Sequence, residues 1–238
     1  MNSVPDPTQN HRDALVRQIQ TEAAETTFWT GRSQFSNRVM DAMARVPRHV
    51  FIPRDEHFSI AYANRPQPIG RGQTISQPYI VALMTDLLDL KGDERILEVG
   101  TGSGYQAAVL AEVAYEVYSV ERFDDLAAQA QAALTNAGYH QVRIKHGDGA
   151  QGWIEYAPFD GIVVTAAVDG PIPHALIEQL APGGRMVIPL GPQSGPQMLT
   201  LGIKDRSNRF RSNPVLPVSF VPLVSPLTAA GVSKLEKP

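Results

Sequence analysis

Apolar positions along the chain fall into two rhythms, one of helical and one of strand period, and together they predict a sheet wound with helices. Leu15, Val16 and Ile19 recur at helical spacing within 12–28. Val39, Met40 and Met43 mark a second helix, which Ser36 would cap and Pro47 would close. A third has Ile80, Leu83, Met84, Leu87 and Leu88 on its apolar face, Pro78 in its first turn, and Thr74 or Ser76 available as caps. Ile96, Leu97 and Val99 then form a short run of the kind buried in a parallel sheet, followed by Gly100, Gly102 and Gly104 and a helix over about 105–114.

Beyond this loop, strands at 117–120, 142–146, 159–165 and 184–190 alternate with helices at 124–137 and 172–180, Gly138 stopping the former. From Gln197 the helices cease. Stretches 197–204 and 214–223, joined by a turn at 205–208, read as an antiparallel edge. The expected fold is therefore α/β: a mostly parallel, doubly wound sheet with an antiparallel C-terminal edge and N-terminal helices. Residues 1–12, polar with Pro5 and Pro7, read as a disordered tail. One domain spans 13–224, divided into a helical cap region (13–90) and the sheet (91–224), and 225–238 read as a loose tail. Within the cap, 48–71 is long and irregular, carrying Pro53, Pro66, Pro68 and several aromatics, and such stretches usually carry function.

Composition narrows the partners. At 238 residues and 43% hydrophobic, the chain can bury one sizeable core. A net charge of -3 gives no footprint for nucleic acid or an anionic membrane, which favours small-molecule or protein substrates. No cysteine is present, so disulfides, thiolate metal sites and a cysteine nucleophile are excluded. The six histidines lack metal-ligand spacing, and no metal is expected. No stretch has the length and apolarity of a signal core or a membrane span, so a cytoplasmic, soluble protein is expected.

The glycine loop reads as a cofactor seat. A dinucleotide fingerprint places its third glycine at the sixth position, but counting from Gly100 that position is Tyr105. Glu98, two residues before the loop, would repel a diphosphate and suits a ligand carrying an ammonium and a sulfonium, such as S-adenosylmethionine. Two more acidic residues lie at strand ends, where open α/β sheets bind ligands. Glu121 is spaced to take ribose hydroxyls, and Asp148, between Gly147 and Gly149, can pair with an adenine amino group. Each of the three is as readily a loop cap or a solvated carboxylate, and Ser76 as readily a helix-start hydroxyl.

The segments 72–78 (GQTISQP), 98–106 (EVGTGSGYQ), 147–149 (GDG), 159–166 (FDGIVVTA), 180–184 (LAPGG) and 220–223 (FVPL), with 45–49 (RVPRH) upstream, resemble the protein-L-isoaspartate (D-aspartate) O-methyltransferase family over about 36–224. The resemblance implies a Rossmann-like class I S-adenosylmethionine-dependent methyltransferase whose last two strands are exchanged relative to the usual order. It implies S-adenosylmethionine as cofactor. The acceptor would be the free α-carboxylate of L-isoaspartyl residues in damaged proteins and peptides, the ester then initiating repair through a succinimide. Carried over by position, it assigns Ser76 to the reacting centre and Gln73, Thr74, Ile75 and Ser76 to the cofactor. Glu98, Gly100, Thr101 and Gly102 cradle that cofactor, Glu121 takes its ribose, and Asp148 with Gly149 its adenine. Val221, Pro222 and Leu223, with Ser76, would flank the peptide. A monomer or small homo-oligomer is expected, without nucleic acid or membrane partners. Residues before Ser36 and after Ser225 are not explained by the family pattern. A same-fold enzyme acting on a small molecule or tRNA, an inactive cofactor-binding module, and a dinucleotide oxidoreductase are the competing readings.

Overall fold

The computed structural model describes residues 6–52 and 57–225, so the expectations for 1–5, for Pro53 and for the tail at 226–238 lie outside the described residues. Two helices open the chain, α1 (Gln9–Glu25) and the single turn α2 (Thr27–Thr30). The first begins before the apolar pattern does, its start held by Asp6, whose carboxylate accepts from the Thr8 amide at 2.8 Å. In α3 (Asn37–Arg45) the Ser36 hydroxyl caps as expected, accepting from the Val39 amide at 3.5 Å.

The described residues of the irregular stretch that follows include regular elements. Among these are the short α4 (Phe58–Ala61) and β1 (Gln67–Gly70), which pairs antiparallel with β2 (Gln73–Ile75). Next comes α5 (Pro78–Leu87), with Pro78 in its first turn. Its N-cap is Gln77 and makes no side-chain cap bond, so neither Thr74 nor Ser76 caps it: Thr74 is committed to the hairpin.

The sheet then forms from β3 (Arg95–Val99), α6 (Tyr105–Ala111), β4 (Glu116–Glu121), α7 (Asp124–Asn136), β5 (Val142–His146), β6 (Phe159–Val164), α8 (His174–Gln179), β7 (Leu180–Leu190), β8 (Gln197–Lys204) and β9 (Phe210–Val218). Its order is β5-β4-β3-β6-β7-β8-β9; the first five are parallel, and β8 and β9 antiparallel. Two strands differ most from the pattern. β7 starts at Leu180, ahead of a register shift that takes in the Pro182-Gly183-Gly184 turn. β9 starts at Phe210 and stops at Val218, leaving 221–223 outside it.

Strand alternation divides the interior in two, because successive side chains leave opposite faces of the sheet. Ile96, Val117, Val163 and Val187 share one core with Ile19 of α1, Met43 of α3, Leu83 of α5 and Val109 of α6. Leu97, Val99, Ile162, Val164 and Ile188 share the other with Leu176 of α8. The chain winds outward from β3 through β4 to β5, then returns to β6 on the other side of β3. This reversal opens a crevice at the carboxyl ends of the strands. Among the described residues no helix is long and apolar enough to cross a membrane.

Candidate active site

The crevice is a cleft at the carboxyl ends of the central strands. Each wall is the end of a strand or the turn after it: Val99 and Gly100 after β3, Glu121 after β4, Gly149 after β5 and Thr165 after β6. The hairpin strand β2 and its exit close the roof with Gln73, Thr74, Ile75 and Ser76, and Val221, Pro222 and Leu223 close the far side.

The glycines are there for backbone shape. Gly100 has φ of +96°, and a Cβ on it would come within 2.4 Å of the Thr165 hydroxyl. That hydroxyl donates to the Gly100 carbonyl at 2.6 Å and so ties the turn to the end of β6. Glu121 fixes the next part of the loop. Its Oε2 accepts from the Gly102 amide at 2.8 Å and its Oε1 from the Phe123 amide at 3.0 Å. Each oxygen keeps a further lone pair, so this almost fully buried carboxylate can still accept from a ligand diol.

Glu98 is different. It is completely buried beneath the loop, where it accepts from the Ser119 hydroxyl; Ser119 in turn lies 2.6 Å from the Thr101 hydroxyl, and Glu98 Oε1 has no partner among the described residues. Burial pushes its pKa up to about 8. Glu98 lies under the loop and not in the cleft lining, holding the Ser119 and Thr101 hydroxyls rather than facing a ligand directly.

Asp148 sits beside the cleft and is not in its lining. Its Oδ1 accepts from the Ala150 amide at 3.0 Å and its Oδ2 from the Ser225 hydroxyl at 2.7 Å. The adjacent Gly149 does reach the cleft, and a Cβ there would strike Val99 Cγ1 at 2.4 Å. The segment Val221-Pro222-Leu223 is not a free edge. Val221 accepts from the Ala167 amide at 2.8 Å, and the Leu223 amide donates back to Ala167 at 2.8 Å.

Sequence reasoning passed over Thr165, Phe123 and Gln106, all of which line the cleft. Thr165 was findable, since it ends the strand after the crossover. Gln106 donates to the Thr85 hydroxyl at 2.9 Å, while its buried carbonyl oxygen has no partner among the described residues. Such an acceptor suits a ligand ammonium.

A second groove adjoins the cleft. Thr74 and Ser76 line both, and the groove continues between Glu22 and Thr26 of the N-terminal helices and the stretch Leu216 to Phe220. Among the described residues nothing hydrogen-bonds the Ser76 hydroxyl, at the junction of the two spaces.

The mostly parallel doubly wound sheet with its glycine turn and antiparallel edge is the Rossmann-like fold of class I S-adenosylmethionine-dependent methyltransferases. A family model described as protein-L-isoaspartate(D-aspartate) O-methyltransferase matches residues 25–228, and the chain belongs to that family. It is 53% identical over 223 residues to protein-L-isoaspartate O-methyltransferase 2 of Syntrophobacter fumaroxidans, covering 94% of this chain and 90% of that protein. To the protein of the same name in Nitrosococcus oceani it is 54% identical over 215 residues, covering 90% and 96%. A solved protein-L-isoaspartate O-methyltransferase superimposes with a TM-score of 0.79 at 26% identity, over 95% of this chain and 71% of that one.

Proposed function

We propose that the cleft holds S-adenosylmethionine and that the adjoining groove presents the free α-carboxylate of an L-isoaspartyl residue to it beside Ser76. One observation carries this reading: Thr74 and Ser76 line both spaces, so a donor in one and an acceptor in the other meet at these two residues.

The cofactor supplies an electrophilic methyl group on a sulfonium. Everything else is the work of the chain. Gly100, Thr101 and Gly102 lay bare backbone along the cofactor, Glu121 accepts from its ribose, Gln106 from its ammonium, and Gly149 lets its adenine lie close to the chain. The acceptor carboxylate is already ionised at neutral pH and needs no general base. Rate therefore comes from alignment and from exclusion of water around the attacking oxygen. Ser76 orients that oxygen by donating its hydroxyl hydrogen. Pro222 and Leu223, with Ser76, flank the peptide, held against Ala167 by the Val221 and Leu223 main chain.

The product ester has a better leaving group than the carboxylate. Attack by the following backbone nitrogen expels methanol and closes a succinimide, whose hydrolysis returns part of the chain to normal aspartate. On the same reading the protein acts in the cytoplasm and on polypeptides rather than nucleic acid, as its net charge of -3 supports.

Ser76→Ala tests the central assignment. Turnover is expected to fall roughly tenfold, the loss of one hydrogen bond to a charged group, while S-adenosylhomocysteine binds as before in a calorimetric titration. Unchanged turnover would remove Ser76 from the reaction.

A further inference from the structure

The N-terminal helix α1 lies almost wholly outside the residues that the family model matches, which begin at 25. It is nonetheless built into the groove. Leu15, Ile19 and Ala23 are buried against the body of the protein, and Glu22, on the same stripe of the helix, lines the groove wall. Two amide side chains hold its carboxylate there. Gln77, next to Ser76, donates Nε2 to both oxygens at 2.9 and 3.1 Å, and Asn64 donates Nδ2 at 2.8 Å. Asn64 is itself fixed, accepting from the Tyr79 amide at 2.9 Å in the first turn of α5. Partial burial raises the Glu22 pKa above its usual range, and the two amides work against that rise.

Among the described residues that line the groove, Glu22 is the sole carboxylate, and neither lysine nor arginine joins it. The remaining surface is apolar or neutral, as in Ile80, Leu216, Val218 and Phe220. A fixed negative charge on an otherwise neutral wall discriminates by charge. Chain continuity names what lies against it. The groove opens onto the reacting centre at Thr74 and Ser76, so its occupant is the stretch of substrate polypeptide beside the isoaspartyl residue.

We infer that Glu22 is a specificity-determining residue: it favours a basic side chain over an acidic one in the substrate stretch flanking the isoaspartate. The inference rests on the reading of the groove given under Proposed function. It gives the N-terminal helix a role in choosing which damaged sites are methylated first, even though the enzyme accepts many sequences.

The test uses isoaspartyl peptides that differ only in carrying Lys, Gln or Glu two residues from the isoaspartate, in separate sets for the two sides. With the wild-type enzyme, KM is expected to be roughly fivefold higher for Glu than for Lys on one side, as for a single partly screened ion pair, with kcat nearly unchanged across the set. E22Q keeps a side chain that Gln77 and Asn64 can bond and should bring the ratio below about twofold. Raising salt should shrink the wild-type ratio without any substitution. Glu25, exposed and absent from the groove lining, is the control, and E25Q should retain the preference. Equal KM for Lys and Glu peptides on both sides, an unchanged ratio in E22Q, or its equal loss in E25Q would overturn the inference. Failure of the wild type to methylate even the Gln peptide would instead overturn the function, and this inference with it.

Discussion

Arg48 donates through Nη2 to the main-chain carbonyl of Ser76 at 3.0 Å, from a position with no solvent exposure. The same guanidinium donates to Ala61 at 3.0 Å and Arg65 at 3.4 Å, and sits 4.7 Å from the centre of the Tyr105 ring. Tyr105 opens α6 directly after the glycine turn and lines the cleft. One buried cation thus joins the backbone at Ser76 to the helix that follows the glycine turn. Burial lowers its pKa to about 10, still well above neutral, so the charge is retained.

Removing that cation strands three carbonyls. Arg48→Met is expected to destabilise the fold by about 3 kcal/mol, read from urea unfolding. In the fraction that folds, kcat should fall more than affinity for S-adenosylhomocysteine. Arg48→Lys should recover little, because an ammonium lacks the planar fork that reaches several carbonyls at once. Full activity and stability in the lysine variant would contradict this positioning role.

The buried Glu98 carboxyl makes stability depend on pH. Its folded-state pKa of about 8 lies above its ordinary value of 4.5. Between those values the folded chain holds a proton that the unfolded chain has released, so stability falls as pH rises through the window, by at most about 1.4 kcal/mol per pH unit. Urea unfolding at pH 5 to 8 should show this decline in the wild type and a flatter profile in Glu98→Gln. Parallel profiles would mean that the carboxyl is ionised in place.

Glu121 should be felt in cofactor affinity before anything else. Glu121→Gln can no longer accept at both oxygens, so either the Gly102 or the Phe123 amide loses its partner, and the ligand diol loses a charged acceptor. Binding of S-adenosylhomocysteine is expected to weaken by roughly 10- to 100-fold, the range for hydrogen bonds to a charged group. Calorimetry checks it, and a change below threefold would remove Glu121 from the ribose.

Much of this architecture could be read from local pattern, because its central strands are short β-branched runs bounded by glycine and its helices carry plain stops. The Ser36 cap and the antiparallel edge were visible for the same reason. The hairpin of β1 and β2 was not. Its strands are four and three residues long, one holds Pro68, and its turn places Arg71 and Gly72 at φ of +54° and +67° without the usual asparagine or aspartate signal. That hairpin carries Gln73, Thr74 and Ile75, so the family resemblance located a roof whose shape periodicity could not show. The start of β9 was hidden because Arg211, Ser212 and Asn213 are polar and exposed on an edge strand.

Charge was harder to read than shape. Glu98 and Asp148 stand at strand ends, but neither lines the cleft: the first is buried against Ser119, and the second accepts from Ser225, 77 residues away. Long-range partners of this kind leave no local trace. Glu121 lines the cleft, where its oxygens accept from Gly102 in the glycine turn and from Phe123 just after its own strand.

The most direct test of the whole account is transfer of labelled methyl from S-adenosylmethionine to two peptides identical except for isoaspartate or aspartate at one position. The account predicts base-labile label on the isoaspartyl peptide and none above background on its partner. Equal labelling of both peptides, or labelling of neither by a protein that still binds S-adenosylhomocysteine, would contradict it.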